Sequence, residues 1–167
     1  MAKSDRLLGA LAINGQDKLD CLFALGAPIH ITDMVIEEAT RNQSLWWNKD
    51  IREWLERNRG RYTRVETQTG RDYLAALELW ERADCPPELE PKTTDKGDRS
   101  IQDAVETYEG RIRPDETLIA LVDERRLRRR LSAAEANVEL VSTRTLFKGP
   151  SGINRSIYGA RPFNAMR

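Results

Sequence analysis

Apolar positions along the chain fall into two rhythms, short continuous runs and helical stripes, and the two alternate. Leu7 to Ile13 is apolar and fits either the end of a strand or the start of a helix. Leu19, Leu22 and Phe23 repeat at helical spacing, and Gly26 follows as a C-terminal stop. Pro28 to Thr32 is short and β-rich. Asp33 then stands where a cap belongs, before Met34, Val35 and Ala39, with Glu37 and Glu38 in the first turns. A second helix is predicted over Lys49 to Asn58, burying Ile51, Trp54 and Leu55, with Gly60 beyond its end. Tyr62 to Thr67 reads as a strand. Thr69 with Asp72 resembles a capping box ahead of a stripe of Tyr73, Leu74, Leu77 and Trp80, which ends before Cys85-Pro86-Pro87.

Glu88 to Gly97 is rich in Pro, Lys, Thr and Asp and predicts a surface loop. Helix resumes over Asp98 to Tyr108, with Ile101, Ala104, Val105 and Tyr108 in phase, and Gly110 and Pro114 bracket a turn. Thr117 to Val122 is a continuous apolar run of the kind found in buried parallel strands. An arginine-rich helix carrying Leu127 and Leu131, a β run over Val138 to Ser142, and a Gly/Pro-bearing tail complete the chain. This alternation predicts an α/β domain, a three-layer parallel β-sheet with helices on both faces. The domain is expected over 1–148, with 149–167 as a basic C-terminal tail. No internal repeat is visible.

Composition narrows the class. At 167 residues, 40% hydrophobic and 32% charged, the chain is too apolar for wholesale disorder, and its glycines and prolines interrupt any coiled coil. Its apolar runs are far shorter than the roughly 20 residues that cross a bilayer, so no membrane partner is expected. The start, Met-Ala-Lys-Ser-Asp, lacks the apolar core of a signal peptide, and two distant cysteines, Cys21 and Cys85, suit a reducing cytoplasm. Cys21 lies in a helical apolar pattern and is expected to pack as a thiol. His30 is the only histidine, so a mechanism built on several imidazoles is excluded; a structural role is expected for it.

Net charge is zero but unevenly spread. From Arg125 onward ten lysines and arginines face two acids, a net +8, which leaves −8 on the preceding residues. A solvated helix face explains such a split as well as a polyanion-binding edge does. The acids matter more. In open parallel sheets ligands bind beyond the carboxyl ends of strands. Glu38 follows the strand at Pro28 to Thr32, Asp98 opens the helix after the long loop, and Asp123 and Glu124 follow the strand at Thr117 to Val122. Converging carboxylates need a cation, and hard oxygen ligands without His or Cys select Mg2+ or Mn2+. Each acid alone is also explained as a helix N-terminal residue stabilised by the dipole.

The segments "ITDMVIEEAT", "KGDRSIQDA", "LIALVDERRLRRRL" and "VELVSTRTLF" together resemble the PIN-domain nucleases, the family of VapC-like toxin ribonucleases. The resemblance covers about residues 5 to 148. It puts Glu38 at the end of the second strand–helix motif, Asp98 at the third acidic position, Asp123 after the next strand and Thr143 in the terminal strand-turn motif. The chain departs from the family at its start, where an apolar strand should end in Asp. Spacing from "KLDCLFALG" selects Asp5, whereas strand character selects Gly9, which would leave the metal site one ligand short.

The resemblance implies a cytoplasmic, Mg2+- or Mn2+-dependent endoribonuclease, the toxin of a toxin–antitoxin pair, with Asp5, Glu38, Asp98 and Asp123 holding the ions and Glu124 as a substitute ligand. RNA is the expected substrate, an antitoxin protein an expected partner, and a homodimer is compatible. Two or three of Arg125, Arg126, Arg128, Arg129 and Arg130 are expected to meet phosphates, because one helix face cannot carry all five. Trp46, Trp47 and Trp54 fit a partner groove or plain core. The competing reading is a catalytically impaired PIN-like module that binds nucleic acid or protein. A phosphoacceptor domain fits less well, since the strand at Tyr62 to Thr67 ends in Gln68-Thr69, and no Gly-rich phosphate loop occurs.

Overall fold

A computed structural model of the chain describes residues 19–42, 44–123, 125–131 and 137–142. Asp5, Gly9, Glu124, Thr143 and the 149–167 tail lie outside the described residues, as does the Cys21 side chain. A 3-10 helix, Asp20–Leu25, ends on Gly26, whose φ of 64° lies in the left-handed region that glycine adopts without strain. The remaining elements alternate: β1 (Ile29–Thr32), α1 (Asp33–Thr40), α2 (Trp46–Arg57), β2 (Tyr62–Val65), α3 (Gln68–Arg82), α4 (Lys96–Glu109), β3 (Leu118–Leu121), α5 (Arg125–Leu131) and β4 (Val138–Val141). The loop between α3 and α4 contains one short 3-10 turn, Pro87–Leu89.

The expected mixed α/β class with parallel strands is what forms. β1 pairs in parallel with β2, Ile29 opposite Tyr62, and β3 pairs in parallel with β4, Leu118 opposite Val138. Among the described residues these are two separate two-stranded sheets rather than one continuous sheet. They nevertheless share a core. Leu19, Leu22, Ile31, Val35, Ile51, Trp54 and Leu55 cluster with Val141 of β4, and Ile119 and Leu121 of β3 pack against the same cluster. A second cluster, Val105, Ala120, Val122, Leu127 and Leu131, sits beneath α5, and Ile101 of α4 packs against both. Each fully buried aliphatic or aromatic side chain in these clusters contributes on the order of 1.5–3 kcal/mol of transfer free energy.

Local rules were overridden in three places. α2 begins at Trp46, three residues before the predicted Lys49, and its two leading tryptophans meet edge-on at 5.7 Å. Trp54 is core, stacked between Phe23 and Tyr62 with its indole N–H donating to Asp20 at 2.8 Å, whereas Trp46 is exposed. The cap of α3 is Thr67, which accepts from the Gly70 N–H at 3.0 Å, and not Thr69. The reason is that Thr69 N–H is already bound to Asp103 of α4 at 2.7 Å. Of the predicted α3 stripe only Tyr73 is buried; Leu74 is exposed, and Leu77 and Trp80 are half-buried. α3 packs on α1 and α4 through its first turns, and its C-terminal half runs past them.

Candidate functional site at the carboxyl ends of the strands

Strands β1 and β2 end at Thr32 and Val65, and the first turns of three helices gather there through polar bonds. Asp33 is N1 of α1, and Thr32 is the cap residue, so Asp33 is not the cap that its position suggested. Its buried carboxylate accepts from Met34 N–H at 2.8 Å, Thr67 N–H at 3.0 Å and the Thr67 hydroxyl at 2.8 Å. One carboxylate therefore ties the β1–α1 junction to the β2–α3 junction. Such charge-assisted bonds are roughly twice as strong as neutral ones.

The start of α4 is fixed to the same edge. Ser100, fully buried, donates to Gly97 C=O at 2.7 Å and lies 2.7 Å from the Thr32 hydroxyl. A serine has one proton to give, so Thr32 is the donor in that pair. Glu38, 4% exposed, accepts the Gly97 N–H at 2.9 Å. Asp98 is half-buried in the first turn of α4, directly between Gly97 and the Ser100 anchor. Glu38 of α1 is thus tied to the backbone of the turn that carries Asp98 in α4.

Asp123 stands beyond the end of the other pair. Val122 N–H reaches Val141 C=O at 2.9 Å, extending the β3–β4 ladder, and Asp123 emerges exposed from it. With Arg125, Arg128 and Arg129 it lines a shallow open depression of about 390 Å³. The helical period accounts for the selection. Positions 125, 128 and 129 share one face, while Leu127 and Leu131 are buried beneath the helix. As expected, one face of the helix does not carry all five arginines.

The donor chemistry of Glu38, Asp98 and Asp123 is all hard oxygen, which suits magnesium or manganese. Among the described residues, however, no three His, Cys, Asp or Glu side chains group closely enough to hold a metal ion. The fourth predicted acid, Asp5, lies outside the described residues.

His30 is not part of this chemistry. It is exposed on β1, and its Nδ1 pairs with the Tyr108 hydroxyl at 2.7 Å. Beside the site, Arg41 bonds the Tyr73 hydroxyl, Pro91 C=O and Glu90, and so straps the α3–α4 loop onto α1. Burial pushes the Tyr73 phenol above its usual value of 10.0; the Arg41 cation opposes this, and the Glu37 carboxylate adds to it.

Sequence reasoning missed Thr32, Thr67, Gly70, Ser100 and Asp103. The signal available was positional: threonines at the ends of the first two predicted strand runs, Thr32 and Thr67, and a glycine three residues past Thr67. Among the described residues no helix is long and apolar enough to cross a membrane. Compared with known proteins, the chain matches no family model, no curated protein and no solved structure.

Proposed function

We propose that the protein is a metal-dependent endoribonuclease of PIN-like architecture, acting in the cytoplasm as the toxin of a toxin–antitoxin pair. In this reading the two strand pairs belong to one three-layer sheet, and Asp5, Glu38, Asp98 and Asp123 hold Mg2+ or Mn2+. The observation that carries it is the Glu38–Gly97 hydrogen bond, which ties the carboxylate of one predicted acid to the turn of backbone that carries another, Asp98. A divalent cation there would supply a water of lowered pKa and charge compensation at a phosphodiester. The protein's own part is positioning. Gly97 N–H orients the Glu38 carboxylate, the Thr32–Ser100 bond fixes the turn that carries Asp98, and Arg125, Arg128 and Arg129 receive phosphate oxygens beside Asp123.

A second reading, a PIN-like module that binds RNA or a protein partner without cutting, is favoured by the lack of a three-acid group among the described residues. Incubation of the full chain with a mixed RNA pool separates the two. The nuclease reading expects cleavage in magnesium or manganese that chelator abolishes and that Asp98→Asn abolishes without unfolding the protein. RNA retention with no cleavage in either metal, and no manganese-dependent rise in melting temperature, establishes the second.

A further inference from the structure

After Tyr73 no residue of α3 is buried, so the outer surface of the helix has no cover among the described residues. Leu74 and Leu79 of the helix and Leu89 of the turn that follows it are 52%, 65% and 65% exposed, large values for leucines. The segment does not dangle: Trp80 Nε1 donates to Pro86 C=O at 2.8 Å and Cys85 N–H reaches Trp80 C=O at 3.1 Å, folding the Pro86–Leu89 turn back against the helix. The same stretch is strongly acidic. Residues 72–90 carry Asp72, Glu78, Glu81, Asp84, Glu88 and Glu90 against a single cation, Arg82. Two copies of this chain meeting face to face here would bring like charges together within a Debye length, which disfavours self-association through it. An occupant must be basic and apolar.

The chain has one such segment. Residues 143–167 contain Arg144, Lys148, Arg155, Arg161 and Arg167, no acid, and the apolar side chains of Ile153, Ile157, Tyr158 and Phe163 among others. Its net +5 is opposite in sign to the net −5 of residues 72–90, of which, among the described residues, only the Glu90 charge is met by a cation outside the stretch, Arg41. From Ser142 at roughly 3.3 Å per residue it is long enough to reach any face of a domain this size. We propose that this C-terminal segment docks intramolecularly on the outer surface of α3 and the turn that follows it, its cations on the acids and its apolar side chains on Leu74, Leu79 and Leu89. The proposal does not rest on the ribonuclease reading.

Cys85 is an exposed free thiol at the edge of this face and serves as a proximity probe. In the full chain carrying Ser156→Cys, mild oxidation at low protein concentration followed by peptide mapping should give an intramolecular disulfide between the introduced thiol and Cys85 as the main product. Adding Glu78→Lys and Glu81→Lys, or about 0.5 M salt, should lower its yield about fivefold, because the docking charges are exposed and screened. These side chains are on the surface, so the fold should persist by circular dichroism. A disulfide formed mainly between two molecules, a link mainly to Cys21, no link, or a yield indifferent to charge reversal and salt would each overturn the proposal.

Discussion

A methyl group added at Gly70 would overlap the carboxylate of Asp33, so the two residues occupy complementary space at the junction of α1 and α3. The glycine is required by a neighbour and not by its own backbone. Gly70→Ala is expected to destabilise the protein by about 2–3 kcal/mol through this overlap. Asp33→Ala alone should cost about 2–4 kcal/mol, because it strands the buried Thr67 N–H. The double variant should be much less destabilised than the sum, since removing the carboxylate makes room for the methyl and alanine is the better helix former. Denaturant unfolding of the four proteins checks this; additive effects would show that the two residues do not compete for space.

Glu38 can be divided into a structural and a charge contribution. Glu38→Gln keeps an oxygen for Gly97 N–H and should hold stability within about 1 kcal/mol, whereas Glu38→Ala leaves that buried donor unpaired and should cost about 1–3 kcal/mol. Both variants should lose any manganese-induced thermal stabilisation. A Glu38→Gln protein that manganese stabilises as well as the parent would remove Glu38 from the proposed ligand set.

These acids also mark how far the sequence was readable. Periodicity located every described strand, and Leu127, Leu131, Ile51 and Trp54 were buried as their spacing required, because solvent exclusion acts on side-chain pattern directly. The α3 stripe misled for the same reason. Periodicity says which residues share a face, and it does not say whether anything lies opposite. Glu38 and Asp98 were found as acids beside strand ends, but the tie from Glu38 to the turn that carries Asp98 is made by Gly97, a backbone donor with no signature in residue type. The Asp33–Thr67 and Thr69–Asp103 bonds each join residues 34 positions apart, a separation at which local capping rules carry no information.

Arginines of α5 should divide by face. Arg125→Ala with Arg129→Ala, both on the wall of the depression with Asp123, should weaken RNA retention and reduce the salt slope of binding by about 1–2. Arg126→Ala with Arg130→Ala, off that wall, removes the same charge and should have a smaller effect. Equal losses from the two pairs, measured by filter binding across a salt series, would indicate a diffuse electrostatic contribution in place of a phosphate-binding face.

Tyr73 sets an alkaline limit. Its phenol holds its proton more tightly in the folded protein than in the unfolded chain, where the value is near 10.0. Below that pH both states are protonated and the contribution to stability is whole. As pH rises from 10 toward the higher folded value, the unfolded chain releases a proton that the native state retains, so stability falls. Tyr73→Phe should flatten this part of the stability curve, and ultraviolet difference titration should show one fewer late-ionising tyrosine. An unchanged alkaline slope would assign the loss to other groups.

Neither strand pair can close as a hairpin, since both are parallel. β1 meets β2 only after residues 33–61 have been laid down, and β3 meets β4 only after α5 has crossed between them. The ladder bonds come after the entropy of closing those loops has been lost, so the order of folding is set by contact distance along the chain. Helices α1 and α2, which form locally, shorten the first loop before any strand bond exists. Weakening their propensity at exposed positions should therefore slow folding, whereas the same loss of stability placed at the late-formed Asp33–Thr67 tie should mainly speed unfolding.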